Sequence, residues 1–287
     1  MTQLLNALPG ALAQGLIWGV MAIGVYITYK VLDIADLTVD GSICTGAAVC
    51  TMLLLGGQSP WLALLCAVLA GVLAGAVTDL LHVGLGIPPI LAGILTQMVL
   101  WSVNLKLLGK ANQALPARTT PVLLSQMDVG GALPVLLGFC VVLVALLVLF
   151  FGTELGCALR ATGCNPVMSR AQGVNTGLMK IIGLALSNGV VALSGALLCQ
   201  YQGYTDVNMG RGAVVIGLAA VVIGQAVLGR RGGRMAVQLG GVILGAVIYY
   251  IVYQVIIFAG FDTDLLKMFS AVVVAVFLGA PHVKAQL

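Results

Sequence analysis

The chain has 287 residues, of which 61% are hydrophobic and 8% charged, whereas about a quarter of a soluble domain is charged. This excludes a soluble globular enzyme and makes lipid the solvent, since apolar runs of about 20 residues cross a hydrocarbon core of about 30 Å. The net charge of +4 is scattered over the ends of those runs, where positive charge orients membrane helices, so it forms no patch for a nucleic acid.

Nine apolar segments follow in chain order: residues 12–29, 43–55, 61–78, 87–107, 133–151, 179–199, 213–228, 235–258 and 265–278. The expected fold is all-α, a polytopic membrane helical bundle of about nine spans, with one domain over residues 1–287. No basic residue precedes the first segment, as a secretory signal would carry, so Met1 is expected to begin the mature chain. Lys30, Arg160, Arg170, Lys180, Arg230, Arg231, Arg234 and Lys284 fall on one side, against Lys106, Lys110, Arg118, Arg211 and Lys267 on the other. Positively charged loops stay cytoplasmic, which orients the N-terminus outside and the C-terminus inside.

The second and seventh segments are short for a crossing, and each follows a polar stretch, residues 33–40 and 206–211. Gly41 and Gly46 in GSICTGAAV share the spacing of Gly212 and Gly217 in GAVVIGLAAV. Paired, interrupted hydrophobic segments in two halves point to inverted repeats around a transport pathway; glycine-rich helix packing explains the spacing equally. Asp40 and Arg211 precede these short helices and either face one another at the centre or act as solvated anchors. A helix start favours anions, so Arg211 beside one would suit a carboxylate.

Polar residues inside apolar segments face the protein interior or water. Gln97, Asn104, Asn188 and Gln254 either line a path or hydrogen-bond helix to helix. The candidate path residues are Asp40, Gly41, Gln97, Asn188, Asn208, Arg211 and Gly212. The seven cysteines form no CxxC pair and read as small packing residues. His82 and His282 have no ligand-like neighbours and read as surface residues, so no metal site is expected.

The loop TELGCALRATGCNPVMSRAQGVNTGLMK, residues 153–180, is too polar for lipid and too patterned for a slack linker. Asn165 can cap a short helix with Pro166 in its first turn. Val167, Met168 and Ala171 make an apolar stripe, and Gly173 ends the helix with a residue tolerant of positive φ. The product is a short cytoplasmic knob with one face available for docking.

The run LRATGCNPVMSRAQGVN, with Asn208-Met209-Gly210-Arg211-Gly212 further on and GLIWGVMAIGVYITYKVLDIADLTVDGSICTGA near the start, resembles permeases of the bacterial ABC importer family that serves branched-chain amino acids and simple sugars. The resemblance covers nearly the whole chain and looks nearest to amino-acid branches, aromatic ones among them. It implies the larger ABC importer permease fold in the cytoplasmic (inner) membrane. It makes residues of about 153–178 the coupling loop, with Asn165, Pro166, Val167, Met168, Ala171 and Gly173 seated in a partner ATPase. It further implies an extracytoplasmic substrate-binding protein, touched by residues 108–133, and a second permease copy or close relative. Two departures stand out: Cys164 before the Asn-Pro pair, and the acidic trio Asp33, Asp36 and Asp40. No GxxxxGK motif followed by Ser or Thr occurs, so ATP and Mg²⁺ are expected on the partner and no cofactor or catalysis in this chain. A sugar or nucleoside permease is the alternative cargo reading. An ion-coupled secondary transporter is the alternative of another class, which leaves the Asn165-Pro166 helix without a purpose.

Overall fold

The computed structural model describes residues 2–116, 120–228, 234–258 and 272, with side chains from residue 7. Apart from residue 272, the ninth apolar segment lies outside the described residues, as do His282, Arg118, Arg230, Arg231, Lys267 and Lys284. Among the described residues, six helical stretches are long and apolar enough to cross a membrane. They are built on α1 (Thr2–Tyr26), α3 (Pro60–Asp79), α4 (Pro89–Leu108), α5 (Val129–Gly152), α8 (Thr176–Gln202) and α10 (Met235–Phe258). Two apolar helices are shorter, α2 (Val39–Leu55) and α9 (Ala213–Leu228), and these are the two segments whose sequence marks them as interrupted. Two small helices, α6 (Glu154–Cys164) and α7 (Pro166–Ala171), join α5 to α8.

Local chemistry sets the boundaries. Ser59, Asp128, Thr153, Asn165 and Asn175 each accept a backbone N–H from the first turn of the helix that follows, which satisfies donors that a helix start leaves orphaned. Gly109 and Gly203 end α4 and α8 in the left-handed conformation, the usual glycine termination. α1 and α3 instead widen into π-helical turns, Ile27–Val31 and Leu80–Gly84. After the first of these Asp33 takes a φ of 56°, which turns the chain back into the bundle towards α2.

α1 and α8 form the buried, antiparallel centre. Ser194 Oγ donates to the Ile17 carbonyl and Ser187 Oγ to the Gly24 carbonyl, each at 2.7 Å. α1 also lies along α10 and α8 along α3, while α2 packs between α3 and α8, and α9 between α10 and α1. Exchanging α1, α2 and α3 for α8, α9 and α10 therefore leaves the pattern of neighbours unchanged.

The sequence carries the same relation at an interval of 170 or 171 residues. GVLAGAV at 71–77 returns as GVILGAV at 241–247, and Gly19 and Gly41 correspond to Gly189 and Gly212. Gly71 sits against the Asn188 carbonyl of α8 and Gly75 against that of Leu184, whereas Gly241 and Gly245 pack on α9. The stretches leading into the short helices match as well. Asp36 Oδ1 accepts the Thr38 N–H at 2.8 Å, and Asp206 Oδ1 accepts the Asn208 N–H at 2.7 Å. The inverted-repeat expectation is thus met by packing as well as by spacing.

The two ends of the bundle differ. At one end β1 (Asn112–Ala114) pairs antiparallel with β2 (Tyr204–Asp206), a ribbon that an all-helical reading does not foresee. The chain after β1 folds over α8, with Leu123 N–H on Gln200 Oε1 and Gln126 N–H on the Tyr201 carbonyl, both at 3.0 Å. At the other end α6, with α7 beside it, abuts the close of α1, where Gly163 meets the Val31 carbonyl so closely that a side chain would overlap it.

Candidate functional site

A cavity of about 500 Å³ opens between α2, α4 and the approach to α9. α2 contributes Asp40, Gly41 and Cys44, and the approach contributes Val207 and Arg211. The polar part of the α4 lining is Gln97, Ser102 and Asn104, with Trp101 and Met98 beside them. Asp40, Gly41, Gln97 and Arg211, separated by up to 171 positions in the chain, are thus brought to one lumen.

The rim is set by Asp40. Its Oδ2 accepts the Gly212 N–H and its Oδ1 the Val214 N–H, each at 3.0 Å. The first amides of α9 are orphan donors with a partial positive charge, and the chain's own carboxylate occupies them. The expectation that this helix start suits a bound carboxylate is corrected accordingly. Gly212 stands at the rim at a φ of 86°, outside the lining. Arg211 remains as the cation of the lumen, and Cys44 Sγ accepts the Gly210 N–H at 3.1 Å to hold the approach in place.

Two other path candidates lie elsewhere. Asn188 is 0% exposed and belongs to a lock: Ser42 Oγ donates to its Oδ1 at 2.6 Å, while its Nδ2 donates to Asp36 Oδ2 at 2.7 Å and to the Leu184 carbonyl at 3.0 Å. It joins α8, α2 and the segment before α2, the helix-to-helix alternative. Asn208 is exposed on the turn after β2, with its N–H on Asp206. Asn104, by contrast, is 1% exposed with neither amide atom hydrogen-bonded, yet it lines the lumen. A buried, unpaired amide costs about 1–3 kcal/mol, so its presence calls for a partner from the lumen.

The second constellation is α7. Asn165 Oδ1 accepts the Met168 N–H at 3.0 Å, Pro166 fills the first helical position, and Gly173 follows at a φ of 86°. Ser169 faces inwards, while Val167 and Met168 are 79% and 59% exposed. Pro166, Val167, Arg170, Ala171 and Lys180 line a groove of about 490 Å³. Arg170 donates to Thr176 Oγ1 at 3.0 Å. His82 is half-buried at this end: Nδ1 meets the Ile87 carbonyl at 2.7 Å, which leaves Nε2 to accept from Lys180 Nζ at 3.4 Å.

α6 fixes α7 in place and escaped the sequence reading. Thr153 caps it, and its buried residues Gly156, Leu159 and Thr162 seat it on the bundle. A chain of contacts therefore runs from α7 through α6, which packs on Val31 and Leu32, along residues 33–38 to α2, and through the Asp40 carboxylate to α9.

Comparison with known proteins gives a consistent picture. The family described as branched-chain amino acid transport system / permease component matches residues 8–280. The chain is 37% identical to the tyrosine transport system permease protein of Clostridioides difficile (strain R20291), over 99% of this chain and 94% of that protein. It is 33% identical to the uncharacterized protein RP368 of Rickettsia prowazekii (strain Madrid E), over 96% of this chain and 98% of that protein. Identity to the autoinducer 2 import system permease protein LsrC of Escherichia coli (strain K12 / DH10B) is 30%, over 71% of this chain and 60% of that protein. No solved structure matches the chain.

Proposed function

This chain belongs to the branched-chain amino acid transport system permease component family, as a multi-pass permease of the inner membrane, and we propose that it is the membrane subunit of a binding-protein-dependent ABC importer for a small solute, an amino acid. The observation that carries this reading is α7, a rigidly capped knob whose Val167 and Met168 side chains project from the bundle. A partner ATPase, which supplies ATP and Mg²⁺, takes α7 and its groove as its seat. A second copy or close relative completes the lumen beside α4, and an extracytoplasmic binding protein delivers cargo at the ribbon end. No catalytic step falls to this chain.

The mechanism follows from that chain of contacts. Closure of the ATPase pair displaces α7, α6 transmits the displacement to the end of α1, and residues 33–38 pass it to α2. Because Asp40 is bonded to the start of α9, the two short helices move together, and the lumen between them opens alternately to the two ends. Arg211, Gln97 and Asn104 give the cargo a cation and two amides, while Trp101 and Met98 give it an apolar wall. A small carboxylate with an apolar or aromatic body fits this set, and the tyrosine-transport relative supports it.

The test is co-purification of the tagged protein with its ATPase from detergent, native and Ala171→Glu, followed by an ATPase assay. Recovery of an ATPase with the native protein and its loss with the variant is expected. If no ATPase ever accompanies the native protein, the importer reading fails and an ion-coupled transporter takes its place.

A further inference from the structure

At the α7 end a second, smaller crevice of about 270 Å³ lies between the close of α1, α6 and the start of α10. We propose that it binds the phosphodiester headgroup of an anionic phospholipid. Its walls include Lys30 and Arg160, and among the described residues no Asp or Glu lines it. Neither cation has a carboxylate partner among the described residues; Arg160 donates to Cys157 Sγ at 3.4 Å. The crevice is therefore a concentration of positive charge that the described residues leave unneutralised.

Its depth selects the source of the anion. Lys30 is in the last turn of the span Ala7–Val31, and Gln238 in the first turn of the span Met235–Phe258. The crevice thus lies where two spans end, at headgroup level, and basic pockets between membrane helices at that level take anionic headgroups. The floor is built: Tyr26 is buried and donates from its hydroxyl to Gln238 Oε1 at 2.6 Å. Arg160 presents a planar fork suited to two phosphate oxygens, and Lys30 adds a point charge. α5, which runs directly into α6, exposes Val142, Leu146 and Leu149, one face of the helix by spacing, along which acyl chains can lie.

The deciding experiment is native mass spectrometry of the detergent-purified full chain, titrated with dioleoylphosphatidylglycerol, dioleoylphosphatidylcholine or inorganic phosphate. One phosphatidylglycerol per protomer is expected, surviving activation that strips phosphatidylcholine. Binding should fall about tenfold in Lys30→Gln/Arg160→Gln, recover in Lys30→Arg/Arg160→Lys, and stay unchanged in Lys110→Gln at the opposite end. Matching thermal unfolding of all variants separates lost binding from lost folding. Equal retention of phosphatidylcholine, or unchanged binding in the double variant, overturns the proposal. So does displacement by millimolar phosphate, which makes free phosphate the ligand. Loss of a co-purifying ATPase with lipid binding intact also overturns it, by making the two cations a protein contact.

Discussion

The carboxylate of Asp40 in α2 accepts the backbone N–H of Gly212 at 3.0 Å, so the two halves of the inverted repeat touch at the starts of their short helices. A side chain from the first half completes the N-terminus of a helix in the second. Removing it leaves two amides at that helix start without their acceptor.

Asp40→Ala is therefore expected to destabilise the protein by about 1–2 kcal/mol, the range for losing a helix cap and its charge. Asp40→Asn, which keeps one acceptor oxygen, should lose less. Thermal unfolding in detergent measures both, and equal unfolding temperatures for native and Ala forms would remove Asp40 from this role.

The Asn188 lock predicts a rescue. Asn188→Leu leaves the Asp36 carboxylate and the Ser42 hydroxyl without their partner, at a cost of about 1–3 kcal/mol or more for the buried charge, and a fall in monodisperse yield is expected. The exchange Asp36→Asn/Asn188→Asp restores an amide–carboxylate pair and should regain much of that yield. If the exchange is no better than the single variant, the pair is not what holds α8 to the entry of α2.

Asn104 predicts the opposite separation. Its amide has no hydrogen-bond partner, so Asn104→Leu, branched alike at Cγ and with the cavity to take its larger methyls, should leave the unfolding temperature unchanged or higher, since removing a buried unpaired polar group is neutral or stabilising. Uptake of whichever radiolabelled solute the native system imports should nonetheless drop about tenfold, as expected when about 1.4 kcal/mol of contact is lost. Full uptake in this variant would make the amide irrelevant to cargo.

A packing test concerns Gly46, where a methyl group would overlap the Ala192 carbonyl of α8. Gly46→Ala should cost about 1–3 kcal/mol through overpacking. Gly138→Ala, with open space around it, should be silent or slightly stabilising. Unfolding temperatures of the two variants side by side decide the matter.

What could be read directly from the chain was local. Asn165, Pro166 and Gly173 act within a few residues of themselves, so their helix was legible, and Gly41 and Gly46 declared the short spans because their polar approaches adjoin them. Asn188 was misplaced because its partners Ser42 and Asp36 lie 146 and 152 residues away, and an amide in an apolar run looks the same whether it faces a lumen or another helix. The occupied start of α9 was invisible for the same reason. α6 was hidden by its mixed polar content, although the Thr153 cap was available. The ribbon of three-residue strands was too short for any periodicity to register. The GVLAGAV and GVILGAV repeat needed only a comparison of the chain with itself at an interval of 170 residues.

That interval bears on how the chain enters the membrane. Two structurally equivalent units must be threaded with opposite polarity, so they cannot rely on the same distribution of basic residues. Within the described part of the first unit, Lys30 stands at the α7 end and Lys106 and Lys110 at the ribbon end, giving no clear bias. Around the second, Arg160, Arg170, Lys180 and Arg234 gather at the α7 end against Arg211 at the other. Because lysine and arginine near span ends decide polarity, the second unit carries the topogenic instruction, and the first is oriented by being joined to it.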